Sequence, residues 1–383
     1  YDLEQGGHRL LTQVPAEHAE PAWVQGVRTY TFSPDGKRLF FIRNQMGSNS
    51  LWQLDLESGA EQSIPLAGYT ALDQPAASPD GKRLALIASG GNIPARVITC
   101  ELDGTSHVWR RSMAEDLPHT AYALPQHVSW QGMDGGVAHG LFYPPQNEAF
   151  EVASLPPLVV MVHGGPTSQR VAAFNGGVQF FTSRGYAVLD VNYRGSTGYG
   201  REYRNKLRGN WGIYDVQDSV SGARALVDKK LADGARLVIM GGSAGGFTVL
   251  KALEDYPGFF RAGICLYGVS NQFTLAAETH KFEARYSDTL LGPLPQAAEI
   301  YRKRSPIFFV DKIRDPMIVF QGEIDNVVPR AQSDEVVDSL KRRGVPHEYH
   351  LYPGEGHGFR KTENITAMYQ SIDKFLRQYV IFA

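Results

Sequence analysis

The sequence predicts an α/β protein: a mostly parallel, doubly wound sheet, preceded by a few antiparallel blades of the β-propeller type. Three observations carry that prediction. A seven-residue segment at 33–39 returns unchanged at 78–84. Later in the chain, short apolar runs alternate with helical patterns, as parallel strands joined by crossover helices require. Several of those runs open into glycine-bearing loops where polar residues collect.

The repeat comes first. Ser33-Pro34-Asp35-Gly36-Lys37-Arg38-Leu39 recurs as Ser78-Pro79-Asp80-Gly81-Lys82-Arg83-Leu84, a period of 45 residues. One propeller blade takes roughly 40–45 residues. Asp-Gly tolerates the positive φ that a tight hairpin turn demands. Strands are expected after each turn, at Leu39–Ile42 and Leu84–Ile87, with Leu51–Leu56 alternating as a following strand. Glu101-Leu102-Asp103-Gly104 marks a further hairpin. About two blades fit before the pattern changes, which predicts a partial propeller over 1–126 and a second domain over 127–383.

The second domain opens with a hairpin around Asp134-Gly135-Gly136, after Val128-Ser129-Trp130. Buried strands are predicted at Pro157–Val162, Gly185–Val191, Arg236–Met240, Pro316–Gly322 and His347–Pro353. Between them, Val216, Val220, Ala223, Val227 and Leu231 share one helical face, and Val336, Val337 and Leu340 another. Ile365, Met368, Ile372, Phe375, Leu376 and Tyr379 place a final helix against the sheet.

One strand runs into Gly241-Gly242-Ser243-Ala244-Gly245. This satisfies the G-x-S-x-G nucleophile elbow in its strand–turn–helix context, the signature of the α/β-hydrolase fold. The turn strains the serine, and the flanking glycines are needed because a Cβ would strike a neighbouring strand or helix. A glycine-rich turn without chemistry, such as a phosphate cradle, is the alternative. The order Ser…Asp…His decides between them. Asp325 lies in the loop after the strand ending at Gly322, and His357 lies in Gly354-Glu355-Gly356-His357-Gly358-Phe359 after the last strand. Asp311 and Asp315 are alternative acids, though neither follows a strand; His350 sits inside one.

The chemistry assigns roles. A serine hydroxyl needs a base to remove its proton, which His357 supplies before protonating the leaving group. Asp325 would fix the imidazole tautomer and stabilise the imidazolium. An oxyanion needs two donors: the N–H of Ala244, and a backbone N–H of Gly164 or Gly165 in the loop His163-Gly164-Gly165-Pro166. His163 is either a packing residue or a lining residue of the site. Tyr199, Tyr203 and Trp211 are candidates for a substrate cleft, with core packing as the alternative.

From about Val128 to the C-terminus the chain resembles the prolyl oligopeptidase family of serine peptidases, most of all its acylaminoacyl-peptidase and dipeptidyl-peptidase-like bacterial branch. The matching stretches are His163 to Pro166, Asn192-Tyr193-Arg194-Gly195-Ser196-Thr197-Gly198-Tyr199-Gly200, and Asn210-Trp211-Gly212 with Asp215 and Asp218. They continue through Gly241 to Gly246, Arg304-Ser305-Pro306, the Asp325 loop, and Gly356 to Phe359. The resemblance implies cleavage of peptide or acyl-peptide bonds through an acyl-serine, with Ser243, Asp325 and His357 as the triad and no cofactor.

Two departures stand out. Propellers close with about four to eight blades, and two open blades would leave strand edges that invite pairing with another chain. With Tyr1 at the start, the expectation is the C-terminal part of a longer protein, or else a homo-oligomer joined through its edges. Second, relatives often hold a substrate carbonyl with Arg or Asn two positions after the catalytic aspartate. Here that position is Val327, which keeps an esterase or amidase reading open. Arg285 is a candidate substitute, a surface helix charge being its alternative.

Composition agrees with an enzyme acting on short peptides or small acyl compounds. A hydrophobic fraction of 43% supplies a core, and a net charge of −2 disfavours nucleic acid or anionic membrane as main partner. No apolar run approaches the roughly 18 residues of a membrane span. Cys100 and Cys265 stand in different predicted domains and form no C-x-x-C pair. A reduced, cytoplasmic setting is expected, with a removed leader left open. No metal motif is seen, since His347-Glu348-Tyr349-His350 lacks the spacing of H-E-x-x-H.

Overall fold

The computed structural model describes residues 6–8, 10–20, 25–150, 154–279, 281 and 283–383; Tyr1, on which one expectation above turns, lies outside them. The chain divides into two compact units. One takes in the chain up to His119 with Val171–Asn175 and Gly198–Gly200; the other comprises Thr120–Arg170, Gly176–Thr197 and Arg201–Ala383.

The first unit holds two four-stranded antiparallel sheets, each with its strands in sequence order. The first is built from β1 (Tyr30–Phe32), β2 (Arg38–Gln45), β3 (Ser48–Asp55) and β4 (Glu61–Ile64). The second is built from β5 (Ala71–Ala77), β6 (Arg83–Gly90), β7 (Ile93–Glu101) and β8 (Ser106–Arg111). These are propeller-type blades. The repeated heptapeptide folds identically in both. Gly36 and Gly81 N–H donate to Ser33 and Ser78 carbonyls at 2.9 Å. The Ser33 and Ser78 hydroxyls accept from the Arg38 and Arg83 N–H groups at 2.9 and 3.0 Å. Phe40, Ile42, Leu51 and Ile64 of one sheet form a single apolar cluster with Leu72, Leu84, Leu86 and Ile98 of the other. At about 25 cal/mol per Å² buried, that cluster draws the two sheets together.

The second unit is an α/β-hydrolase sheet of eight strands. The strands are β9 (Gln126–Gln131), β10 (Val137–Tyr143), β11 (Leu158–Val162), β12 (Ala187–Asn192), β13 (Leu237–Gly242), β14 (Ala262–Leu266), β15 (Met317–Gly322) and β16 (His347–Tyr352). Their spatial order is β16-β15-β14-β13-β11-β12-β10-β9. Every pairing from β16 to β12 is parallel, while β10 pairs antiparallel with β12 and β9. The parallel strands are buried on both faces and read as near-continuous Val/Ile/Leu runs for that reason. The helix Tyr214–Asp228 buries Val216, Val220 and Ala223, but stops before Leu231, which is 38% exposed. That expectation is corrected: the helical register ends at the Lys229–Lys230 turn.

Buried polar groups tie this helix to the elbow. Asp215 is wholly buried; it accepts from Gly212 N–H and from the Thr248 hydroxyl, both at 2.6 Å. Burial pushes its carboxyl up to about 6. Arg194 grips the Asp218 carboxylate with Nε and a terminal nitrogen, reaches Asp134 at 2.5 Å, and stacks over Tyr214. This pins the β9–β10 hairpin to the helix.

Candidate active site

The site grows from the end of β13. Ser243 takes φ 57° and ψ −123° and precedes the helix Ala244–Asp255. Positive φ is strained for a residue with a side chain. Packing enforces it. The Ser243 N–H donates to Leu266 O at 3.0 Å, and its carbonyl accepts the first helical bond from Phe247 N–H. A Cβ on Gly245 would fall on the Val162 carbonyl, and one on Gly241 would strike the Gly245 backbone. The elbow can therefore close only with glycine at both places, and the serine is left half-buried at the helix N-terminus, where negative charge is favoured.

The loop after β11 lies beside it. A Cβ on Gly164 would sit 3.4 Å from the Ser243 Cβ and 3.9 Å from the Ala244 nitrogen. His163 sets this loop from behind. Its Nδ1–H donates to the Gly164 carbonyl at 2.8 Å, leaving Nε2 to accept from the Ser196 hydroxyl at 2.8 Å. The ring stacks on Tyr193, centroids 4.3 Å apart, and Tyr193 donates to Pro166 O. Burial lowers the His163 pKa to about 3, so the ring is neutral. With the Gly164 carbonyl held inward, the N–H of the same trans peptide, on Gly165, points the opposite way. Tyr286 secures the far side of the loop through the Thr167 N–H and hydroxyl.

Asp325 and His357 come from neighbouring strand ends. Asp325 Oδ2 accepts from His357 Nδ1 at 2.9 Å. Its Oδ1 accepts from the N–H groups of Val327 and Val328, both at 2.9 Å. Gln321, buried in β15, donates weakly to the same carboxylate at 3.4 Å and is itself held by Ser333. The two loops are stitched together: Ile324 N–H donates to Glu355 O at 3.0 Å. Glu355 then anchors the loop's exit by accepting from Arg360 N–H, Lys361 N–H and Asn364. Because an ionised carboxylate only accepts, His357 carries its proton on Nδ1 and keeps Nε2 free. Among the described residues, no hydrogen bond joins Ser243 to His357; catalytic hydrogen bonds of this type often tighten only when substrate binds.

The remaining sequence candidates sort as follows. His163 is 3% exposed with both ring nitrogens engaged, so it braces the glycine loop and presents no group to a ligand. Arg285 has an 89% exposed side chain paired with Asp288, which makes it a surface charge. Val327 packs its side chain on the main apolar core. Tyr199 falls in the segment grouped with the first unit. Tyr203 and Trp211 are buried, donating to Asn192 O and packing on Phe247 respectively. Asp315 caps Gly258 N–H, and His350 stacks on Phe320. Sequence reading missed Gln321, Glu355 and Tyr267, the last packing its ring 4.8 Å from that of His357. Only the Glu355 position, inside a glycine-rich loop two residues before the histidine, offered a local signal. Among the described residues, no cluster of three or more metal-ligating side chains occurs, and no helix is long and apolar enough to cross a membrane.

A parallel sheet with a strained serine at the elbow, and a carboxylate–imidazole pair two and three strands away, defines an α/β-hydrolase. Residues 172–381 match the prolyl oligopeptidase family, and the chain belongs to that family of serine peptidases. It is 35% identical over 230 residues to dipeptidyl peptidase family member 6 of Caenorhabditis elegans, covering 58% of this chain and 31% of that protein. It is 33% identical over 231 residues to the human acylamino-acid-releasing enzyme, again covering 58% and 31%. A puromycin-hydrolyzing peptidase of Mycobacterium tuberculosis superposes with a TM-score of 0.91 at 36% identity, covering 97% of this chain and 56% of that one. The matched segment thus spans about a third of the length of these two relatives.

Proposed function

We propose that this chain is a serine hydrolase that cleaves peptide bonds of short or N-acylated peptides through an acyl-serine intermediate, with Ser243, Asp325 and His357 as its triad. The observation that carries the reading is the His357–Asp325 bond at 2.9 Å, with Nε2 left free, in the same unit as a serine strained at φ 57°. His357 Nε2 takes the Ser243 proton as Oγ attacks the scissile carbonyl carbon. The oxyanion is held by the N–H groups of Ala244 and of Gly164 or Gly165. The amine leaves with the proton from His357, and water, deprotonated by the same imidazole, releases the acid and restores Ser243. Relatives described as dipeptidyl peptidase, acylamino-acid-releasing enzyme and puromycin-hydrolyzing peptidase support a substrate with an amide next to a short acyl or aminoacyl group.

A second reading, a carboxylesterase or amidase of small acyl compounds, draws on Val327, whose side chain is committed to the core and donates nothing. A panel separates the two: acetyl-alanyl, free alanyl-prolyl and blocked prolyl anilides beside nitrophenyl butyrate. Turnover of an anilide is expected. Cleavage of the ester alone would replace the peptidase with the esterase. The mostly exposed β8 supports a further proposal, that a partner, either further blades or a second copy, pairs with a strand edge of the first unit.

A further inference from the structure

Tyr267 follows β14, the strand between the nucleophile's strand and that of the acid. Its φ is 39°, uncommon and strained for a residue with a bulky side chain. The chain is fixed on both sides of it. Tyr267 N–H donates to Phe320 O of β15 at 2.7 Å, and Leu266 O receives the Ser243 N–H at 3.0 Å. Gly268 abuts Gly246 of the nucleophile's helix closely enough that a Cβ would lie 2.8 Å from its backbone.

This backbone directs the ring into one place. On one side is the elbow, where a Cβ on Gly242 would lie 3.0 Å from ring carbon Cε2 and 3.2 Å from the phenolic oxygen. On the other is the His357 ring, its centroid 4.8 Å away and tilted by 60°. Phe359 meets the ring edge-on at 5.3 Å, and a Cβ on Gly358 would lie 4.0 Å from the phenolic oxygen. The Asp325–His357 bond fixes the imidazole relative to the acid, not relative to the serine. The Tyr267 ring touches both the imidazole and the elbow.

We propose that Tyr267 is a positioning residue, whose ring, held by its strained backbone, is the spacer that sets the His357 imidazole against Ser243. The inference rests on the reading of Ser243 as nucleophile and His357 as base. It makes the ring, not the hydroxyl, the working part.

The test uses Tyr267→Leu and Tyr267→Phe in the whole chain, on the best substrate of the panel. Tyr267→Leu is expected to lower kcat about 10- to 100-fold with KM changed by less than about 3-fold, the signature of misplaced reacting groups. Tyr267→Phe should return kcat to within about 3-fold of the parent. Proton NMR of the His357 Nδ1–H should show the same low-field signal in both variants, since its bond to Asp325 does not pass through Tyr267. Parent-like kcat in Tyr267→Leu would overturn the proposal. So would an equal loss in Tyr267→Phe, which would place the work in the hydroxyl, or disappearance of the low-field signal in Tyr267→Leu, which would mean general collapse. Failure of a fluorophosphonate to label Ser243 in the parent chain would instead overturn the nucleophile reading on which this one stands.

Discussion

The blade turns and the nucleophile elbow are both glycine-rich reversals, but glycine serves a different end in each. At Gly36 and Gly81 the backbone takes φ of 69° and 67°, and a Cβ on Gly36 would meet nothing within 4 Å. Glycine is there for its dihedral freedom. At the elbow the positive φ falls on Ser243, while Gly241 and Gly245 make room for other backbone. The elbow puts strain on Ser243 and relief on its neighbours. At these two blade turns the positive φ falls on glycine itself.

Removing the hydroxyl gives the largest expected effect. Ser243→Ala should lower kcat by about 10⁴–10⁶-fold with the folded state retained. Ser243→Gly should be as inactive, yet more stable than Ser243→Ala by about 1 kcal/mol, because glycine carries no penalty at φ 57°. Paired urea denaturation curves measure the difference, and equal midpoints would remove the strain from residue 243. Next comes Gly245→Ala, expected to destabilise the hydrolase unit by about 3 kcal/mol or to prevent folding, since its Cβ falls on the Val162 carbonyl. An unchanged midpoint would break the packing half of the contrast.

Carboxylates divide the same two regions by sign. The Ser33 and Ser78 hydroxyls, with backbone N–H groups, lower the pKa of Asp35 and Asp80, so their stabilising contribution is lost as pH falls. Burial raises Asp215 to about 6. The native state then holds a proton that the unfolded chain has released, so its contribution is full below about pH 4 and disappears as pH rises through about 6. Asp215→Asn should flatten that decline, worth on the order of 3 kcal/mol, when unfolding is followed between about pH 4 and 7. An equally steep profile in the variant would assign the slope to other groups, Asp190 first. Gly36→Ala should cost least, about 1 kcal/mol from its dihedral alone; a loss as large as that at Gly245 would erase the distinction between the two kinds of turn.

How far the sequence reaches follows the same physics. The heptapeptide repeat is legible because a turn is a local object: its hydroxyl, carboxylate and glycine bond one another within six residues. Strand ends are legible for a similar reason, which is why Asp325 and His357 can be named from apolar runs opening into glycine loops. Tyr267 is not, since its ring meets Gly242 and His357 from distant parts of the chain; Gln321 and Glu355 bond near neighbours, but across loops whose path no sequence pattern specifies. Arg285 misleads because a cationic residue in a polar stretch looks the same whether it faces a cleft or solvent. Leu231 misleads because apolar periodicity runs past the turn that ends its helix.

One consequence of the strand order reaches beyond chemistry. The His357 loop is rooted on β16, yet its imidazole touches a ring at the end of β14, two strand spacings of about 4.8 Å away. It is a cantilever, clamped at its root by Glu355 and propped at its tip. In such a beam a small tilt at the clamp becomes a larger displacement at the tip. On the reading proposed above, the clamp formed by Glu355 with Arg360, Lys361 and Asn364 is therefore where changes away from His357 itself are expected to reach its imidazole.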